Sequence, residues 1–151
     1  MKETIKDIIT EVLSRLEEHN PKIKLTSEAR SLIYETGMVE SGYRHLKQMG
    51  DGPALSFFQI EKNTIDDIWK NYMVYRPKLI ELAYSLGYIE KDPYFSVMSN
   101  IAVAVLFCRI YYYRKPGAIP KAKGERAQYW KSQYNTAGGK GTVGKYMEAN
   151  A

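Results

Sequence analysis

Cysteine is nearly absent from this sequence, with Cys108 the only one among 151 residues. An internal disulfide framework is therefore excluded, and stability must come from burial of apolar surface. Histidine is equally scarce. His19 and His45 alone cannot supply a zinc-ligand spacing, so neither a metal nor another cofactor is expected. Cys108 sits among Val103, Val105, Leu106 and Phe107, a setting that predicts a small core hydrophobe rather than a reactive thiol. Long apolar runs are missing too. The longest, Ile101 to Cys108, stops at Arg109 and falls far short of the roughly 20 residues a membrane-spanning helix needs, so no membrane insertion is expected. Met1 to Asp7 contain no apolar segment of the secretory kind, which predicts synthesis in the cytoplasm of the producing cell without a signal peptide.

What is present points to one ordinary folded domain. With 44% hydrophobic residues and 13 tyrosines, the chain has enough apolar material to enclose a single core and too much for intrinsic disorder. Its net charge of +5 is unevenly placed. Residues 109–151 hold nine lysines and arginines against only Glu125 and Glu148, while the preceding part is slightly acidic. A basic third of this kind draws a protein toward a polyanion, whether nucleic acid, an acidic membrane face or an anionic cell-wall polymer.

Helical periodicity dominates the chain. Ile5, Ile8, Ile9, Val12, Leu13 and Leu16 mark a first helix over 3–18. Thr26 or Ser27 caps a second, which ends at Gly42 and places Glu40 at its C-terminus. Residues 43–60, with Gly50, Gly52 and Pro53, lack a 3.6-residue period and read as irregular chain with at most a short hairpin. Further helices start near Asn63 or Thr64, at Pro77 and at Asp92-Pro93, the last running unbroken as the central helix from Tyr94 to Arg114. A sixth spans about Glu125 to Gln133, and a short terminal helix starts at Thr142. The expectation is a mainly α, single domain over 1–151 with one irregular or β-hairpin segment after its second helix. Tyr111, Tyr112 and Tyr113 point about 100° apart, so one or two can face a groove while another packs inside. The string Gly138, Gly139, Lys140, Gly141, Thr142 is no phosphate loop, since its lysine is not followed by serine or threonine and no strand precedes it.

By position alone, Glu40 is a helix-end glutamate like many others. Its neighbours change that reading. Glu40-Ser41-Gly42 at a helix end is followed by Gly52, Ser56, Gln59 and Ile60 in a Gly-x-x-x-Ser-x-x-Gln-Ile pattern, and later by Tyr134-Asn135 and Gly138. This set resembles the soluble lytic transglycosylase and goose-type lysozyme group of the lysozyme-like superfamily, and in particular the small lysozyme-like proteins of tailed phages. Two departures stand out. Phe57 and Phe58 replace the group's glycine and larger apolar residues, and the glycine of its Tyr-Asn-x-Gly motif comes one place late.

The resemblance implies a lysozyme-like fold and cleavage of the β-1,4 glycosidic bond in peptidoglycan, with glycan strands, and other virion proteins, as partners. It implies Glu40 as general acid and Ser41, Ser56, Phe58, Gln59, Tyr134 and Asn135 as substrate-binding residues. A glutamate beside apolar side chains at the negative end of a helix suits the acid role, because both conditions raise its pKa. A two-carboxylate hydrolase needs a second acid, for which Asp51 is the candidate and Glu61 the alternative. A lytic transglycosylase manages with one, since the substrate's own C6 hydroxyl attacks. Such a protein would act at the bacterial cell wall, carried there in the virion or admitted through a pore. The rival class is non-catalytic: a virion structural component, or a basic protein contacting nucleic acid through 109–151. No recognisable reader motif supports nucleic acid as the partner.

Overall fold

The computed structural model describes residues 1–50, 52–136 and 138–151. Among these described residues eight α-helices and one two-stranded sheet lie in the order α1 (Lys2–His19), α2 (Ser27–Glu40), β1 (Ala54–Leu55), β2 (Ile60–Glu61), α3 (Lys62–Asn71), α4 (Pro77–Ser85), α5 (Pro93–Ser99), α6 (Ile101–Tyr113), α7 (Lys123–Trp130) and α8 (Val143–Ala149). A 3₁₀ turn follows α3 at Met73–Tyr75, and a π turn extends α7 over Lys131–Asn135. The mainly α expectation holds, and the irregular segment contains the short antiparallel hairpin.

The apolar periodicity of α1 buries Ile5, Ile9, Val12, Leu13 and Leu16 against α2, α4 and α6. Helix α6 is apolar on nearly every side because it is surrounded; Val103 to Ile110 are all buried. Cys108 is fully buried, as expected, and burial pushes its thiol pKa far up. One continuous core collects side chains from every helix and from Leu55 and Ile60 of the hairpin. No single described helix is long and apolar enough to cross a membrane.

The central helix is not continuous. Between α5 and α6 the chain bends by 103° at Asn100. The Asn100 side chain accepts the Val103 N–H (3.1 Å) as an N-cap and donates to the Leu86 carbonyl (2.7 Å) at the end of α4. A residue that caps one helix and ties down another has no reason to stay inside a third. Helix α5 consequently packs on α3 and β1, while α6 runs through the core against α1, α2 and α3.

Candidate active site

Glu40 is the last residue of α2, whose first turn is fixed by Thr26 Oγ1 accepting the Ala29 N–H (3.1 Å). The chain then reverses through Gly42 and Tyr43, both at positive φ, and Tyr43 folds its ring back over the helix, its hydroxyl donating to the Tyr34 carbonyl (2.9 Å). Glycine at position 37 makes room: a Cβ there would fall 2.2 Å from the Tyr43 ring. A glycine inside a helix costs stability, and here it admits the aromatic ring that joins α2 to the hairpin. Tyr43 stacks on Tyr34 and meets Phe57 and Phe58 edge-on.

Ser41 fastens the same corner. Its buried Oγ donates to the Phe57 carbonyl (2.7 Å), lies 3.2 Å from the Gly37 carbonyl and accepts the Tyr43 N–H (3.1 Å). In the hairpin, Ala54 faces Glu61 and Leu55 faces Ile60, leaving Ser56–Gln59 as the loop. Ser56 is buried, its Oγ accepting the Phe58 N–H and its carbonyl receiving Nε2 of Gln59 (2.8 Å). Phe58 is wholly buried, and its carbonyl accepts the Tyr134 hydroxyl (2.5 Å). Tyr134 in turn lies between Tyr111 and Tyr112, with ring centroids 4.8 and 4.9 Å away.

These elements enclose a cleft of about 920 Å³. Glu40, Trp130 and Tyr134 lie at its base, Gln59, Glu61 and His45 border it from the hairpin side, and Asn135, Lys140 and Lys145 from the other. Asn63, Thr64 and Tyr111 also line a smaller pocket of about 350 Å³ beside Asp67, Arg114 and Lys115. Trp130 Nε1 donates to Glu40 Oε2 (2.9 Å). Burial pushes the Glu40 pKa up to about 7 while the indole hydrogen bond pulls the other way, and burial wins. A carboxyl so poised is partly protonated at neutral pH and can give its proton to an oxygen lodged in the cleft.

The expected site residues therefore divide. Glu40, Gln59, Tyr134 and Asn135 meet in one cleft. Ser41, Ser56 and Phe58 do not; expected to bind substrate, they instead stand behind the wall, buried, with their polar atoms spent on internal hydrogen bonds. Asp51 lies outside the described residues. Glu61 is exposed on the cleft rim. Asn135 Oδ1 receives Lys131 Nζ (2.9 Å), which also reaches the Gly139 carbonyl (3.1 Å) and so holds the glycine-rich turn over the cleft edge. Of the three consecutive tyrosines, Tyr111 borders the cleft and Tyr112 is buried, bonded to Thr36 Oγ1 (2.8 Å).

Trp130 and His45 were not legible as site residues. His45, which has no partner spacing in the sequence to mark it, borders the cleft. Trp130 carries no mark in the sequence beyond its place in the sixth helix, yet a buried indole N–H requires an acceptor, and that requirement is the signal that pairs it with a carboxyl. Gly141 lets the turn approach its ring, since a Cβ there would come within 2.3 Å of the indole. Among the described residues no three His, Cys, Asp or Glu side chains converge as a metal centre requires. No protein-family model, curated protein or solved structure matches this chain.

Proposed function

We propose that this protein cleaves the β-1,4 bond between N-acetylmuramic acid and N-acetylglucosamine in peptidoglycan, as a lytic transglycosylase or a muramidase, with Glu40 as general acid. The observation that carries the reading is the part-buried Glu40, held by Trp130 at the base of a cleft that also contains Gln59, Tyr134 and Asn135. Glu40 protonates the glycosidic oxygen as the C1–O4 bond breaks. In the transglycosylase route the Glu40 carboxylate then takes the proton of the C6 hydroxyl while O6 bonds to C1, leaving a 1,6-anhydro end. The amides of Gln59 and Asn135 suit the N-acetyl groups and hydroxyls of a glycan strand. Lys140 and Lys145 on the cleft border suit the negative charge of a cell wall. That wall would be the one of a bacterial host, as the resemblance to small phage proteins implies.

Digestion of purified peptidoglycan with mass analysis of the fragments tests this. Glu40→Gln keeps the shape and the acceptor for Trp130 but has no proton to give, so cleavage should fall about 100-fold to 10,000-fold with the fold intact. Asp51→Asn and Glu61→Gln divide the routes: a muramidase loses activity in one of them, whereas a transglycosylase tolerates both and yields anhydro ends. Undiminished cleavage by the Glu40 variant removes the assignment.

A further inference from the structure

Helices α2 and α7 are joined twice. One junction is the Trp130–Glu40 hydrogen bond. The other is buried and formed by residues the cleft never touches. Arg126 Nε and Nη2 donate to Glu35 Oε1 (2.7 Å) and Oε2 (2.9 Å), and the Tyr146 hydroxyl of α8 donates to Glu35 Oε1 (2.7 Å). Arg126 Nη1 reaches the Lys121 carbonyl (2.5 Å), and Asn150 Nδ2 donates to the Glu35 backbone carbonyl (3.2 Å). Arg126 and Trp130 are four residues apart and share one face of α7. Glu35 and Glu40 lie five apart on α2. A bidentate guanidinium–carboxylate fork fixes distance and angle together, unlike a single hydrogen bond or a lysine. Burying an ion pair contributes little net stability compared with an apolar pair of the same volume, so what this fork supplies is register.

We propose that Arg126, Glu35 and Tyr146 are positioning residues for Glu40: their network sets the register of α7 on α2 that brings the Trp130 indole N–H onto the Glu40 carboxyl. Tyr146 acts on both sides of the junction, bonding Glu35 and packing its ring 5.4 Å from that of Trp130. Without the fork, α7 keeps its apolar contacts, but nothing holds the indole to one carboxylate oxygen. Among the described residues, Trp130 from α7 bonds Glu40; Cys108, Tyr111 and Tyr112 from α6 and Tyr134 from the π turn lie close enough to feel its charge; and His45, Glu61, Lys140 and Lys145 stand around the cleft. Of these, only the indole donates to the carboxyl, so its loss is what a titration reads.

The test follows the indole N–H resonances of the full chain by nuclear magnetic resonance from pH 5 to 9. Trp130 should shift in a step near neutral pH as Glu40 ionises, while Trp69, packed on Tyr84 and Tyr88, serves as the internal control. In Arg126→Lys, and in the charge-balanced Glu35→Gln/Arg126→Met pair, the Trp130 step should shrink. Its midpoint should rise by about one pH unit, the loss of one charge-assisted hydrogen bond. Tyr146→Phe removes a single hydroxyl and keeps the ring, which guards against a variant that fails to fold; a smaller change in the same direction is expected. An unaltered Trp130 step in folded variants that merely unfold at lower temperature overturns the proposal. The catalytic meaning of this positioning rests on the peptidoglycan reading, while the hydrogen-bond network itself does not. The titration needs no substrate, so an inactive chain with the expected shifts sinks that reading and keeps this one, and an active chain with an unmoved step does the reverse.

Discussion

Replacing Glu40 by glutamine should make the folded protein more stable in alkaline solution than in acid, relative to wild type. The folded state holds this carboxyl at a pKa of about 7, against an ordinary 4.5 when the chain is unfolded. A group whose pKa is raised by folding contributes most below the unfolded value, and that contribution is lost as pH rises through the folded one. At about 1.4 kcal/mol per tenfold, the ionisation penalty on the folded state is about 1 kcal/mol at pH 5 and about 3 kcal/mol at pH 9. Glutamine carries no such penalty and still accepts the Trp130 N–H. The gap between variant and wild type should therefore move by roughly 2 kcal/mol in favour of the variant between the two pH values. Urea unfolding followed by tryptophan fluorescence measures it, and every other titrating group cancels because both proteins share it. A gap that stays constant would mean that Glu40 ionises as it does in water, and the acid role would lose its physical basis.

Two other outcomes are expected. Ser41→Ala should cost about 1–3 kcal/mol, because it strands the buried Tyr43 N–H and cuts the bond to the Phe57 carbonyl; a change of only a few tenths in thermal unfolding would show the corner is held by its aromatic rings instead. Binding to cell-wall sacculi should weaken as salt rises, since exposed charges reach only about 8 Å at physiological ionic strength; sedimentation at two salt levels checks this. Efficient competition by duplex DNA, with no sacculus binding, would favour the nucleic-acid class.

Helix starts were legible because their causes are local. Thr26, Pro77, Pro93 and Thr142 each act within a turn of where they stand. Asn100 failed the same test because apolar residues on both sides hide a cap inside what reads as one buried helix. The site was legible in part for a similar reason. A motif gives spacing but no facing, so Gln59, which reaches the cleft, looked no different from Ser56 and Phe58, which brace the wall behind it. Glu40 stood out through its neighbours in sequence, whereas Trp130 and the Glu35–Arg126 pair join positions about ninety residues apart, and no local pattern encodes such a meeting.

That separation has a temporal side. The rings and thiol close enough to feel the Glu40 charge, from Cys108 to Tyr134, and Trp130, which bonds its carboxyl, belong to the second half of the chain. During synthesis or refolding, α2 can form with its glutamate in open water, an unremarkable charged residue, for as long as α6 and α7 have not docked. The proton-holding character thus arrives last, together with the final helices, and a chain stopped short of Trp130 would own the glutamate without its chemistry. Competence here reports completion of the fold, and a probe of Glu40 ionisation during refolding would time the closing of the molecule.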